Sequence, residues 1–164
     1  MGNRAVVTFA KRNQIEKYLN DASRPMHIEG YVADHPNAVG VYLHWNGGYD
    51  SIKPFCMACK ELGYRSPVSD DYGIACFVQL VRNFFGMDGL SVGVDTLNRL
   101  DCDNWDNGVF VVDGNWEVIG REYERSEQTR NDGYYEEFKD YLVGMSKAME
   151  DAHKKFDLQS RQSK

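Results

Sequence analysis

The sequence is short of cysteine and of proline, with four of each in 164 residues. Four cysteines, Cys56, Cys59, Cys76 and Cys102, are too few to staple a chain of this size, so a disulfide scaffold of the small secreted type is excluded. Long apolar runs are also missing. The most apolar stretch, Ile74 to Phe85, is broken by Gln79, Arg82 and Asn83 and falls short of the ~18 residues that would suggest a membrane span. Positive charge is in deficit, 19 Lys and Arg against 25 Asp and Glu, a formal net charge of -6. A broad basic surface for phosphate backbones is therefore not expected, which argues against direct nucleic-acid binding. Met1 to Ala10 show neither a basic start leading into an apolar run nor a small-residue cleavage site. The expected setting is cytoplasmic, without a membrane.

What is present describes a folded domain. The composition is 42% hydrophobic and 13% aromatic with 15 glycines, which excludes collagen-like, coiled-coil and wholly disordered chains. One α+β domain over residues 1–156 is expected, followed by a disordered polar tail at 157–164.

Strand signals fall at Arg4 to Phe9, Ala38 to Trp45, Leu90 to Asp95, Val109 to Asp113 and Trp116 to Tyr123, all rich in β-branched or aromatic residues. The last two flank Gly114-Asn115 and predict an antiparallel hairpin. A helix is predicted from Asp50 or Ser51, either one serving as its cap, to Leu62, with Pro54 in the first turn and Gly63 as a left-handed stop. A second should start after Pro67, capped among Ser69, Asp70 and Asp71, and end near Phe85. Phe138, Tyr141, Leu142, Met145, Met149 and Phe156 give a third helical period over Tyr134 to Lys155, which suits a dimer face as well as a core face. Residues 10–37 carry no clear pattern. Strands group with strands and helices with helices, so an antiparallel sheet of about five strands is expected, with about three helices mainly on one face.

Chemistry-bearing motifs are sparse. Cys56-Met57-Ala58-Cys59 is a C-x-x-C, but two further zinc ligands are missing and both thiols fall on the apolar stripe of Ile52, Phe55 and Leu62. Core packing is the expected role, and fast-reacting or metal-protected thiols would overturn it. His27, His35, His44 and His153 form no ligand spacing, and neither a G-x-S-x-G elbow nor an H-E-x-x-H helix occurs. No catalytic residue, metal or cofactor is assigned. The run Asp101 to Gly108 superficially resembles a calcium loop, but Trp105 sits where an oxygen ligand is wanted and the closing glutamate is absent. It reads as a polar connection turned by Asn107-Gly108, with an aromatic that is either tucked in or offered to a ligand.

The richest segment is His44-Trp45-Asn46-Gly47-Gly48-Tyr49-Asp50, which joins a strand to a helix and gathers rings, an amide and glycines. Such a turn suits a planar ring stacked on Trp45 or Tyr49, and it equally suits plain architecture. The candidate ligand-binding set is His44, Trp45, Asn46, Tyr49, Arg65, Tyr72, Trp105 and Arg121. The placement of Trp45, Tyr49, Tyr72 and Trp105 discriminates: convergence on one cleft favours a pocket, and separate burial favours an interaction surface.

Gly2-Asn3-Arg4-Ala5-Val6-Val7-Thr8-Phe9, Val41-Tyr42-Leu43-His44-Trp45-Asn46-Gly47-Gly48 and Ser91-Val92-Gly93-Val94-Asp95 resemble small uncharacterised proteins of bacteriophages and mobile elements, a similarity spanning residues 2 to 123. The resemblance supplies no catalytic residues. It implies a setting in the host cytoplasm, where accessory phage proteins block host defences by sequestering a signal nucleotide or by binding a defence complex. The expected function is a non-enzymatic anti-defence factor that sequesters a nucleotide-like ligand. One alternative is an acidic inhibitor of a host nucleic-acid-binding defence complex, anti-CRISPR-like or antirestriction-like, using Asp101, Asp103, Asp106, Glu122, Glu124 and Glu127. The other is a small hydrolase.

Overall fold

A computed structural model describes residues 2–19, 26–85 and 91–123, together with Asp151 and Lys154. Five strands, β1 (Ala5–Phe9), β2 (Val39–Leu43), β3 (Val92–Thr96), β4 (Val109–Val112) and β5 (Val118–Glu122), form one sheet in the order β3-β2-β1-β4-β5. The fold is α+β. The pairs β1–β2, β2–β3 and β4–β5 are antiparallel, while β1–β4 is parallel. The parallel pair arises because the chain leaves β3 at one edge and returns beside β1 from the other side. Residues 97–108 carry it across two strands, opened by a short 3-10 turn at Leu97–Arg99.

Side-chain alternation along the strands separates two cores. Ala5, Val7, Val41, Leu43, Phe110 and Val112 face one way, against the long helices α3 (Tyr49–Glu61) and α4 (Asp71–Phe85). Those helices bury Ile52, Phe55, Cys56, Cys59, Phe77, Leu80 and Val81 completely or almost so. Each large apolar side chain so buried contributes about 1.5–3 kcal/mol. Val6, Val109, Val111 and Ile119 face the other way, against Ile15, Tyr18, Ile28, Tyr31 and Leu97.

The helices pack mainly on one face, as expected, and the second core adds a smaller layer on the other. The long helices share a face, and residues 10–19 and 26–37 fold over the other, forming α1 (Arg12–Ile15), a 3-10 turn (Glu16–Tyr18) and α2 (Tyr31–Asp34). Their pieces are three or four residues long, too short to show a helical period. The same segment covers the β5 edge, where Ile28 N–H donates to the Arg121 carbonyl at 3.1 Å and Arg121 N–H to that of Met26 at 2.7 Å.

Local signals behaved unevenly. Gly63 at φ +69° ends α3, and the Asp70 carboxylate caps α4 by accepting the Tyr72 and Gly73 N–H groups at 3.0 and 3.2 Å. α3 starts earlier than expected. Gly48 precedes it without a side-chain cap, so Asp50 and Ser51 lie inside the helix and Pro54 falls beyond the first turn. The hairpin forms between β4 and β5, and its turn is tied by Asp113, whose Oδ1 accepts the N–H groups of Asn115 and Glu117 at 2.9 and 3.0 Å. Of the expected helix at 134–155 only Asp151 and Lys154 are described, both helical, and the tail at 157–164 lies outside the described residues.

Candidate functional site

The turn after β2 is held by the N-terminal strand. Asn3 N–H donates to the His44 carbonyl at 2.9 Å, and Gly47 N–H donates to the Asn3 carbonyl at 2.8 Å. A Cβ on Gly47 would stand 2.5 Å from that carbonyl oxygen and 2.7 Å from Ala5 N, so only glycine lets the two backbones meet. Asn46 adopts φ +57° and donates from its amide to Ser51 Oγ at 3.2 Å. His44 N–H donates to the Ser91 carbonyl at 3.0 Å, which closes the end of β3 onto the same turn.

These ties leave Trp45 standing 49% exposed beside a groove of about 760 Å³ lined by Tyr42, His44, Trp45, Asn46, Phe85, Ser91, Val92 and Gly93. The Tyr42 hydroxyl and His44 Nδ1 share a hydrogen bond of 2.8 Å, and the imidazole meets the Trp45 ring edge-on at 5.4 Å. Burial and the charge of Asp101 push the Tyr42 phenol above its ordinary value and keep it protonated. The groove offers an aromatic wall, hydrogen-bonding side chains, and no Lys or Arg among its lining residues. It suits a planar, uncharged ring better than a phosphate.

The other sequence-selected residues lie elsewhere. Tyr49 packs into the helical core with its ring 6.4 Å from that of Phe110. Tyr72 lies exposed on the first turn of α4 under the Arg65 guanidinium, 4.9 Å from its ring centroid, and Arg65 pairs with Asp70 at 3.4 Å. Arg121 is 97% buried in effect, with only 3% of its surface exposed, between the rings of Phe110 and Tyr123 at 4.8 and 4.7 Å. Its Nε and Nη2 donate to the Asn107 carbonyl and Oδ1 at 3.2 and 3.3 Å. Trp105 is 58% exposed and borders a separate cavity that shares no lining residue with the groove. The four aromatics thus neither converge on one cleft nor are each buried. The aromatic turn keeps His44, Trp45 and Asn46 together and is joined by Tyr42 and Ser91, which sequence reading passed over. Tyr42 sat within an almost continuously apolar strand, with nothing to mark which face it would take.

The acidic loop is organised from within. Asn104 is fully buried, and its Oδ1 accepts the N–H groups of Asp106, Asn107 and Gly108 at 3.2, 3.1 and 3.0 Å. Its amide donates to the carbonyls of Asp101 and Gly108 at 3.0 and 3.1 Å. Arg4 neutralises the loop's outer carboxylates, with Nε 2.7 Å from Asp106 and Nη1 3.6 Å from Asp101. Glu122 turns inward, its two oxygens accepting the Tyr31 and Val32 N–H groups at 2.8 and 3.3 Å, and burial pushes its carboxyl up. Glu124 and Glu127 lie outside the described residues.

Cys56 and Cys59 are buried in the helical core, where burial raises both thiols far above their ordinary value. Cys102 is pushed up to about 11 by burial and by the charges of Glu122 and Asp101. Among the described residues no group of three or more His, Cys, Asp or Glu is placed to hold a metal ion, and no helix is long and apolar enough to cross a membrane. Comparison of the chain with protein families, with characterised proteins and with solved structures finds no match.

Proposed function

We propose that the chain is a non-enzymatic binding protein that holds the planar ring of a nucleotide-like ligand against Trp45. The observation that carries this reading is the half-exposed Trp45 ring, on a turn locked to the sheet, beside a groove lined by the polar residues Tyr42, His44, Asn46 and Ser91. A base stacked on such a ring gains about 1–3 kcal/mol, and a lining without Lys or Arg leaves a phosphate to project toward solvent. The proposed role is sequestration of a defence signal, which rests on the resemblance read from the sequence alone. The acidic-inhibitor alternative is less well supported, because Arg4 engages Asp101 and Asp106 and Glu122 is occupied by α2.

Calorimetric titration against cyclic and ADP-ribose-type nucleotides tests the proposal. Binding is expected for at least one member, with intact ligand recovered after denaturation and affinity lowered about tenfold or more by Trp45→Ala. Absence of binding across the panel removes the reading, and recovery of a cleaved ligand replaces it with a hydrolase.

A further inference from the structure

The two edges of the sheet end differently. The β5 edge is covered by the segment at Met26 and Ile28, which exchanges backbone bonds with Arg121. The β3 edge has β2 on one side and, among the described residues, no strand on the other. Its register fixes which backbone groups point outward. Leu97 N–H donates to the Ala38 carbonyl at 2.9 Å and the Ser91 carbonyl accepts from His44 N–H at 3.0 Å, so residues 91, 93, 95 and 97 face β2. In an antiparallel ladder the residues between them, Val92, Val94 and Thr96, then aim their N–H and C=O groups away from the sheet. The Thr96 N–H is taken by the Asp95 carboxylate at 2.8 Å. The outward groups of Val92 and Val94 have no bond to any described residue.

A row of such groups accepts an extended strand. A second copy of β3 supplies one. The antiparallel register that pairs the whole strand has its two-fold axis at Val94, so that the two Val94 residues exchange both their bonds and each Val92 N–H meets the Thr96 carbonyl of the other copy. Thr96 N–H stays on its own Asp95. The strand's one charged side chain also fits, because Asp95 of each copy falls opposite Gly93 of the other, where a Cβ would meet nothing within 4 Å, and like charges do not stand directly opposite. Val94, on the same face as its pair Val41, is 52% exposed in the single chain and is covered by its counterpart in the pair. With the β5 edge already occupied, pairing through β3 closes at two copies.

We propose that β3 is a dimerisation edge, through which two copies of this chain join their sheets antiparallel about a two-fold axis at Val94. Gly93 also lines the groove at Trp45, so the pairing sets the second copy's Asp95, with the Arg99 that it holds at 3.3 Å, beside that groove. Association needs no ligand, so this proposal and the nucleotide reading fail separately.

Sedimentation equilibrium of the full chain without ligand tests the proposal. A pairing five residues long is small, so a reversible dimer with a dissociation constant of roughly 10–100 μM is expected. Val94→Pro removes the N–H at the axis without touching the ladder to β2, and Val94→Lys sets two like charges against each other; each should weaken the dimer at least about tenfold. Val94→Cys should give a disulfide-linked dimer on mild oxidation, since residues that exchange both bonds stand ~5.5 Å apart at Cα, whereas Asp71→Cys, exposed on α4, should not. A chain that stays monomeric up to about 1 mM overturns the proposal and leaves the edge to a strand of another protein. So does a dimer that survives both Val94→Pro and Val94→Lys, a dimer that Val94→Cys does not link, or an assembly larger than two.

Discussion

Replacing Asn104 with alanine removes the buried side chain that gathers the N–H groups of the loop between β3 and β4, and the cost follows from which groups lose a partner. Gly108 N–H, buried, depends on Asn104 Oδ1 at 3.0 Å. Asn107 N–H keeps the Arg4 carbonyl at 3.1 Å, and Asp106 is only half-buried, so its N–H can turn to water. The Gly108 carbonyl keeps the Val6 N–H at 3.0 Å. One buried donor left unsatisfied costs about 1–3 kcal/mol, and the remaining lost bonds about 1 kcal/mol between them, so the loss is about 3 kcal/mol. For a chain of this length that corresponds to a fall of roughly 6–12 °C in the unfolding midpoint. Urea denaturation and a thermal melt measure both numbers. Asn104→Asp sharpens the test. A carboxylate keeps the three acceptor bonds but sets charge against the carbonyls of Asp101 and Gly108, formerly 3.0 and 3.1 Å from the amide. It should be no better than alanine at neutral pH and should recover as the pH falls, because the protonated acid regains a donor. The sign follows from linkage: a carboxyl whose folded pKa is raised loses stability as pH rises. A loss below about 1 kcal/mol for Asn104→Ala refutes the reasoning, since the loop would then hold its shape without the buried amide.

Gly47→Ala should destabilise the fold by about 2–3 kcal/mol, because the new Cβ meets backbone atoms of Asn3 and Ala5 that cannot rotate away; an unchanged urea midpoint would contradict the close approach. Cys56 and Cys59 should resist a thiol reagent in the native protein and react on unfolding, as burial both shields them and suppresses the thiolate. Mass spectrometry of the partly labelled native chain would identify either one if it reacted early. At Asp106, burial pushes the carboxyl up, but the hydrogen bonds and charge of Arg4 outweigh it and hold it below its ordinary 3.8. Its contribution to stability is therefore present above that value and fades as the pH falls through the lower folded value, and Asp106→Asn should flatten the acid limb of a stability-against-pH curve.

The sheet was legible because each strand is a short β-branched run bounded by turn residues, and α3 and α4 because their apolar faces repeat over three or more turns. The parallel pairing of β1 with β4 was not. It depends on a crossover of residues 97–108, whose sequence reads only as a polar connection, since the apolar contacts of Leu97, Leu100 and Cys102 with the second core are too widely spaced to form a pattern. The covering of the second face by residues 10–19 and 26–37 was hidden for the same reason. At the candidate site, His44, Trp45 and Asn46 are neighbours in sequence and remain neighbours in space. Arg65, Tyr72 and Trp105 were grouped with them by residue type, and only the tertiary arrangement separates them. Arg121 was another candidate ligand contact. Its guanidinium instead lies buried between two rings, bonded to Asn107.

The acidic residues of the loop act through what they hold in place. Asp106 accepts from the Arg4 side chain and from its backbone N–H at 3.0 Å, joining the loop to the start of β1. Asn3, one residue earlier, carries the bonds that lock the turn at His44 and Gly47, and its Oδ1 accepts from the Asn107 amide. A short polar chain thus runs from the crossover loop through residues 3 and 4 to the groove at Trp45, while the same loop positions Trp105 at its own cavity. Loosening the Arg4–Asp106 pair should therefore disturb the geometry of both aromatic sites, although neither residue lines either cavity. A double-mutant cycle between Asp106→Asn and Trp45→Ala, read on ligand affinity, measures that link. Strict additivity would show that the groove is built by the β2 turn alone.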